Sequence, residues 1–183
     1  MTSKPVTILH LLGNNGTGKT TLLDTLVERN AYCAGISVGR ELRKRHPPEY
    51  FQGQAAPAHT ESAAMELYRN FVDTTTASGY QLIVVDGQPR NASQVTACLL
   101  ANGNHEFLLL HAPHAVRHER LIRRDGADLS KLALATARLD ADYRNQYEVM
   151  VELARLGIEL QIADTASLSF QAMVDEIEAT YLT

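Results

Sequence analysis

Tryptophan is absent from this 183-residue sequence, aromatic residues together make up 6%, and cysteine occurs twice. Cys33 and Cys98 are too few for a disulfide framework and stand at no metal-ligand spacing. The sparse Tyr and Phe are not interleaved with Lys or Arg, which excludes a stacking platform for single-stranded nucleic acid. No apolar run approaches the roughly 18 residues needed to span a bilayer. The longest one near the start, Val6–Leu12, carries His10 and flows into a glycine-rich loop, so it reads as a strand and not as a secretory leader. A large charge excess is missing as well: 17 Lys+Arg against 21 Asp+Glu leave a net charge of −4, unlike a protein that coats nucleic acid. What remains is an ordinary globular composition, 45% hydrophobic and 21% charged, of a length that suits one domain over residues 1–183. The expectation is a soluble, cytoplasmic protein with no membrane partner; monomer and dimer stay equally open.

There is no internal repeat and no low-complexity tract. Val6–Leu12, Cys33–Ser37, Gln81–Val85, Phe107–His111 and Ile158–Ala163 are apolar runs of strand length. They are continuous more than alternating, as in strands covered on both faces. Helical stretches lie between them, at 19–30, 39–46, 60–78, 91–102, 114–124, 130–156 and 167–182. Thr60 and Ser130 are suited to start helices, Gly79, Gly103 and Gly157 to stop them, and Pro47-Pro48 ends the second. Strands alternating with helices predict an α/β fold: three layers, with about five parallel strands flanked by helices.

Gly13-Asn14-Asn15-Gly16-Thr17-Gly18-Lys19-Thr20 matches G-x-x-x-x-G-K-[ST] in full, between a strand and the helical run beginning at Thr21. Glycines let backbone N–H groups converge on a polyanion, and the helix presents its partly positive end to the same oxygens. Lys19 can reach the β- and γ-phosphates and the Thr20 hydroxyl can ligate Mg²⁺, so this segment predicts a P-loop fold binding ATP and Mg²⁺.

Leu82-Ile83-Val84-Val85-Asp86 is an apolar strand ending in an acid, the form of a second Mg²⁺-organising site beside a P-loop. It continues as Gly87-Gln88-Pro89-Arg90, with Gln94 four residues beyond the arginine. Here the sequence resembles the adenylate kinase and wider nucleoside monophosphate kinase family, whose pattern differs only by a Phe where this chain has Gln88. The resemblance implies that Arg90 grips an acceptor phosphate, that Gln94 reads the acceptor base, and that Asp86 holds Mg²⁺ through water. Gly87 and Gln88 would belong to the same acceptor site. Ser37-Val38-Gly39-Arg40-Glu41-Leu42-Arg43 resembles a second acceptor segment of that family, matching at the Gly, the Leu and the final Arg, and it would add Gly39, Arg40, Glu41 and Arg43 to the site. The acceptor segment would span about 37–78.

Arg117, Arg120, Arg123 and Arg124 crowd one helix, with Arg120 and Arg124 on a shared face. They resemble the family's Arg-x-x-x-Arg before its lid, of which the first packs on the donor adenine and the second contacts phosphates; Arg138-Leu139 resembles the pair after the lid. Arg120, Arg124 and Arg138 would then meet the transferred phosphoryl group. The short lid, about 125–130, carries Asp125-Gly126-Ala127-Asp128 and neither the family's lid arginine nor its zinc-binding insert.

The expected function is therefore a Mg²⁺-dependent phosphotransferase moving the γ-phosphoryl of ATP to a nucleoside monophosphate. One alternative is a kinase acting on a hydroxyl, such as a hydroxymethyl-pyrimidine base in phage DNA, with Glu41 or Asp86 as general base. Nucleic acid is a partner only in that case. Another is a non-catalytic nucleotide-binding module.

Overall fold

The computed structural model describes residues 5–47, 58–125 and 143–182. Five parallel strands form one sheet: β1 (Thr7–Leu12), β2 (Cys33–Ser37), β3 (Leu82–Asp86), β4 (Asn104–His111) and β5 (Leu160–Asp164), in the spatial order β2-β3-β1-β4-β5. The described helices are α1 (Lys19–Arg29), α2 (Val38–Arg45), α3 (Ala58–Thr76), α4 (Ala92–Leu99), α5 (His114–Asp125), α6 (143–155) and α7 (Phe170–Tyr181).

The continuous apolar runs make sense once both sheet faces are covered. Alternate side chains of a strand point to opposite faces. Leu9 and Leu11 of β1 and Leu82 and Val84 of β3 accordingly join Leu22, Leu23 and Leu26 of α1 and Val174 and Ile177 of α7. Ile8, Ile83 and Val85 turn the other way, against Leu67, Tyr68 and Val72 of α3. A third cluster packs Leu12 and Phe107 on Val95 of α4 and Val149 and Leu153 of α6. Cys33 and Cys98 are free thiols buried in the first two clusters. Among the described residues, no helix is long and apolar enough to cross a membrane.

Some boundaries move. β4 begins at Asn104, three residues ahead of the apolar run, because Asn104, His105 and Glu106 pair with Thr7, Ile8 and Leu9 of the central strand. Ladder hydrogen bonds need no apolar side chain. β5 starts at Leu160, later than Ile158, and lies at the sheet edge. Thr60 is inside α3, which is already helical at Ala58. Asn91 and Ser169, whose side-chain oxygens accept from the amides of Gln94 and Ala172, cap α4 and α7. Ser130 and the first half of the expected 130–156 helix lie outside the described residues, as do Asp128 and Arg138.

The register brings the carboxyl ends of three strands level: Asp86 pairs with Leu11 of β1 and with Ser37 of β2. In open parallel sheets, ligands bind at that edge.

Candidate active site

The chain leaves β1 at Leu12 and enters α1 at Lys19, so the loop between them must turn within six residues, 13–18. Gly13 makes the turn possible: its φ is +130°, and a Cβ there would sit 2.3 Å from the Leu110 carbonyl oxygen. Gly16 (φ +83°) passes close to α5, with a Cβ 2.9 Å from the Arg117 carbonyl oxygen. The Thr17 hydroxyl donates to Asn14 O at 2.9 Å and braces the loop internally. Lys19 folds across the mouth, its Nζ donating to Gly13 O (2.7 Å) and Asn14 O (3.1 Å).

Below the loop, Asp86 Oδ2 accepts the Thr20 hydroxyl at 2.7 Å and the Ser37 hydroxyl at 3.0 Å. This is a set of hard oxygen donors next to a phosphate cradle. Among the described residues, no group of three His, Cys, Asp or Glu could cage a metal ion. The Thr20 hydroxyl and the Asp86 carboxylate are the donor chemistry that Mg²⁺ carried on nucleotide phosphates takes, since that ion needs one or two protein oxygens and keeps its waters.

A cleft of about 200 Å³ opens from this point. Gly13, Asn14, Asn15, Lys19 and Thr20 of the loop and first helical turn line it, with Gly39, Arg43, Gly87, Gln88 and Arg90 from α2 and the turn after β3, and Arg124 from α5. Lys19, Arg43, Arg90 and Arg124 face it together with one carboxylate, Asp86, so the described lining carries a charge of +3.

The family model described as an AAA domain matches residues 8–150, well over half of the chain. The chain belongs to this AAA domain family. No curated protein matches. Among solved structures, the chain is similar to a sugar kinase from Janibacter sp. HTCC2649, with a TM-score of 0.63 at 16% identity over 97% of this chain and 95% of that one. It is also similar to the tunicamycin resistance protein of Deinococcus radiodurans, with a TM-score of 0.56 at 22% identity over 96% and 95%. At such identities the likeness is one of fold: the five-stranded parallel sheet flanked by helices is a P-loop kinase-like α/β fold, as the sequence predicted. The finer adenylate kinase likeness rests on the sequence motifs alone.

Several residues of this AAA-domain chain sit elsewhere than the motifs imply. Arg40 makes a two-pronged pair with Asp24 of α1, both contacts 2.8 Å, and is not part of the cleft wall. The hydrogen bonds to Asp24 raise its pKa against the opposing effect of burial. Glu41 holds Lys44 at 2.8 Å, one turn along α2, and also stays out of the lining. Gln94 stays out of it as well: its Oε1 accepts from the Arg90 backbone N–H at 2.8 Å, so it braces the arginine's segment. Arg120 donates to Gly16 O (3.4 Å), Thr165 Oγ1 (2.9 Å) and Thr165 O (2.6 Å), which moves it from the cleft to the junction of phosphate loop and β5. Gly16, Thr17, Gly18 and Thr21 belong to the loop and first helical turn without forming the cleft wall.

Other participants escaped the motifs. Ser37 opens the second acceptor segment, but nothing in the motif announced that its hydroxyl holds Asp86. Asn145 and Gln146 of α6 line the cleft from far along the chain, with no local signal at all. Arg117, one of four arginines crowding α5, is buried: its Nε donates to Ala112 O at 3.1 Å and its guanidinium stacks on Tyr143. His10 supports the cleft floor, its Nδ1 donating to Gln88 O at 3.1 Å while the ring stacks on Phe107. Burial, reinforced by the neighbouring His105, lowers its pKa to about 3, so the ring is neutral.

Proposed function

We propose that this chain is a single-domain, Mg²⁺-dependent kinase that transfers the γ-phosphoryl of ATP to a nucleoside monophosphate. The observation that carries the reading is the charge of the cleft's described lining: four cations against one carboxylate. Such an excess suits two phosphate-bearing ligands meeting end to end. The loop amides and Lys19 hold the donor. Arg43 from α2 and Arg90 from the turn after β3 would hold the acceptor phosphate, with Arg124 of α5 in the same lining. Guanidinium forks suit phosphate oxygens in pairs. When bound, Mg²⁺ would be held by Thr20 and, through water, by Asp86, and would neutralise charge on the donor's phosphates. An ionised phosphate is already a nucleophile, so the chain needs only to align the two groups and neutralise charge on the migrating one. The place of Arg120, beside Gly16 and Thr165, suits contact with the donor's base; Arg138 is the remaining candidate for the transferred group. Two unpaired, buried cysteines suit a reducing, cytoplasmic setting.

A hydroxyl acceptor is the second reading, favoured by the carboxylate of Asp86 in the cleft and by the fold shared with a sugar kinase. In that case Asp86 is the general base.

An ATP-consumption screen over the four common nucleoside monophosphates, nucleosides, simple sugars and hydroxymethylated DNA separates the two. Turnover confined to a monophosphate is expected; turnover confined to a hydroxyl compound replaces the first reading by the second. Arg90→Ala should raise the acceptor KM at least tenfold, equivalent to about 1.4 kcal/mol, with ATP affinity kept. Lost ATP affinity with normal acceptor use would misplace Arg90.

A further inference from the structure

One carboxamide in the cleft wall is satisfied at neither end among the described residues. Gln88 is 1% exposed and lines the cleft, and neither its Nε2 nor its Oε1 has a hydrogen-bond partner among the described residues. A buried amide left unpaired at both ends costs free energy that an apolar side chain of the same size would not. Its backbone, by contrast, is pinned by the His10 ring at Gln88 O. So the main chain is fixed and the two side-chain ends are left for a ligand.

The surroundings indicate which ligand. Arg43 and Arg90 share the cleft with Gln88 and serve a phosphate, while Val38, Leu42 and Ala64 add an apolar surface suited to a flat ring. Gln146 lines the same cleft, and its Oε1 also lacks a partner. Gln94, the residue that family likeness suggests for base reading, is engaged by Arg90 and absent from the wall.

We propose that Gln88 is the residue that reads the acceptor's nucleobase, its carboxamide donating and accepting at once against a base edge with adjacent donor and acceptor. The side-by-side N–H and C=O of a carboxamide match such an edge bidentately. The pairing requires the side chain to rotate from the wall into the cleft, driven by the partners it gains there. This rests on the monophosphate reading above.

The test is calorimetric titration of the full chain, saturated with a non-hydrolysable ATP analogue, with AMP, GMP, CMP, UMP and ribose 5-phosphate. The wild type should bind at least one monophosphate tenfold or more tighter than ribose 5-phosphate. Gln88→Leu should bring that monophosphate to within threefold of ribose 5-phosphate without lowering Tm, because an unpaired amide has been removed. Gln88→Glu offers two acceptors and should raise affinity for GMP, whose N1–H and N2–H both donate, at least fivefold relative to the other bases. If Gln88→Leu keeps the base preference, the assignment of Gln88 falls while the monophosphate reading stands. If Gln88→Leu lowers Tm and weakens every probe alike while Gln88→Glu leaves the base ranking unchanged, Gln88 is structural and the proposal is overturned. A wild type that binds monophosphates no better than ribose 5-phosphate overturns the monophosphate reading and this inference with it.

Discussion

Lys19 lies over the loop that it completes, its ammonium bonded to the carbonyls of Gly13 and Asn14, and little of the core depends on it. Lys19→Ala should therefore cut turnover by about two orders of magnitude or more, the size of losing one preorganised charge, while the unfolding midpoint hardly moves. Near-normal turnover in that variant would remove the donor assignment. Gly13→Ala should do the reverse. A side chain at φ +130° and 2.3 Å from Leu110 O forces the loop or β4 to shift, and a loss of at least about 2 kcal/mol is expected in urea unfolding. A neutral outcome would mean the loop relaxes freely. Cys33 and Cys98 form a third case: burial pushes each thiol up to about 12. Both should resist alkylation by iodoacetamide at pH 8 until the chain unfolds, as mass spectrometry would show. The glycines and Lys19 were legible in the sequence because their roles are local, set by backbone conformation within a few residues. Gln88 was legible as a departure from a motif, but the absence of partners for its amide depends on what packs around it.

Helix α2 shows how the residues of one element can part company. Arg40, Glu41 and Arg43 were expected together in the acceptor site. In the fold the helix presents Arg43 to the cleft, while Arg40 reaches back to Asp24 and Lys44 to Glu41. Residues three and four apart share a face, whereas Arg40 is claimed by a neighbouring helix that the sequence does not announce. The Arg40–Asp24 pair is about two-fifths exposed, so its contribution is small, about 0.2–1 kcal/mol and screened by salt. Arg40→Ala should lower stability by no more than that in low salt and less in high salt, and should change acceptor KM by less than about threefold. A tenfold KM effect would return Arg40 to the acceptor site.

At the scale of the whole molecule, stability should carry the mark of the buried imidazoles beneath the cleft. His10 is neutral in the fold with its pKa at about 3, and His105 is shifted in the same direction, chiefly by burial. An unfolded chain takes up a proton at each near pH 6.5, so below that pH the unfolded state binds more protons than the folded one. Stability is thus full above pH 6.5 and falls as the pH drops toward 3. His10 alone should account for about 2 kcal/mol between pH 7 and pH 5. Urea unfolding at the two pH values should show this slope, and His10→Gln should flatten it; an equal slope in the variant would refute the assignment. The sequence by itself determined the phosphate loop, the parallel α/β alternation and the acid closing β3, because each is written in a short window by φ demands, periodicity or strand termination. The tertiary structure alone decided which arginines face the cleft, that Gln94 braces Arg90, that Ser37 reaches Asp86 and that α6 supplies Asn145 and Gln146. Those facts follow from which strands lie side by side and which helices cross, and contacts between residues tens of positions apart leave no periodic trace in either segment.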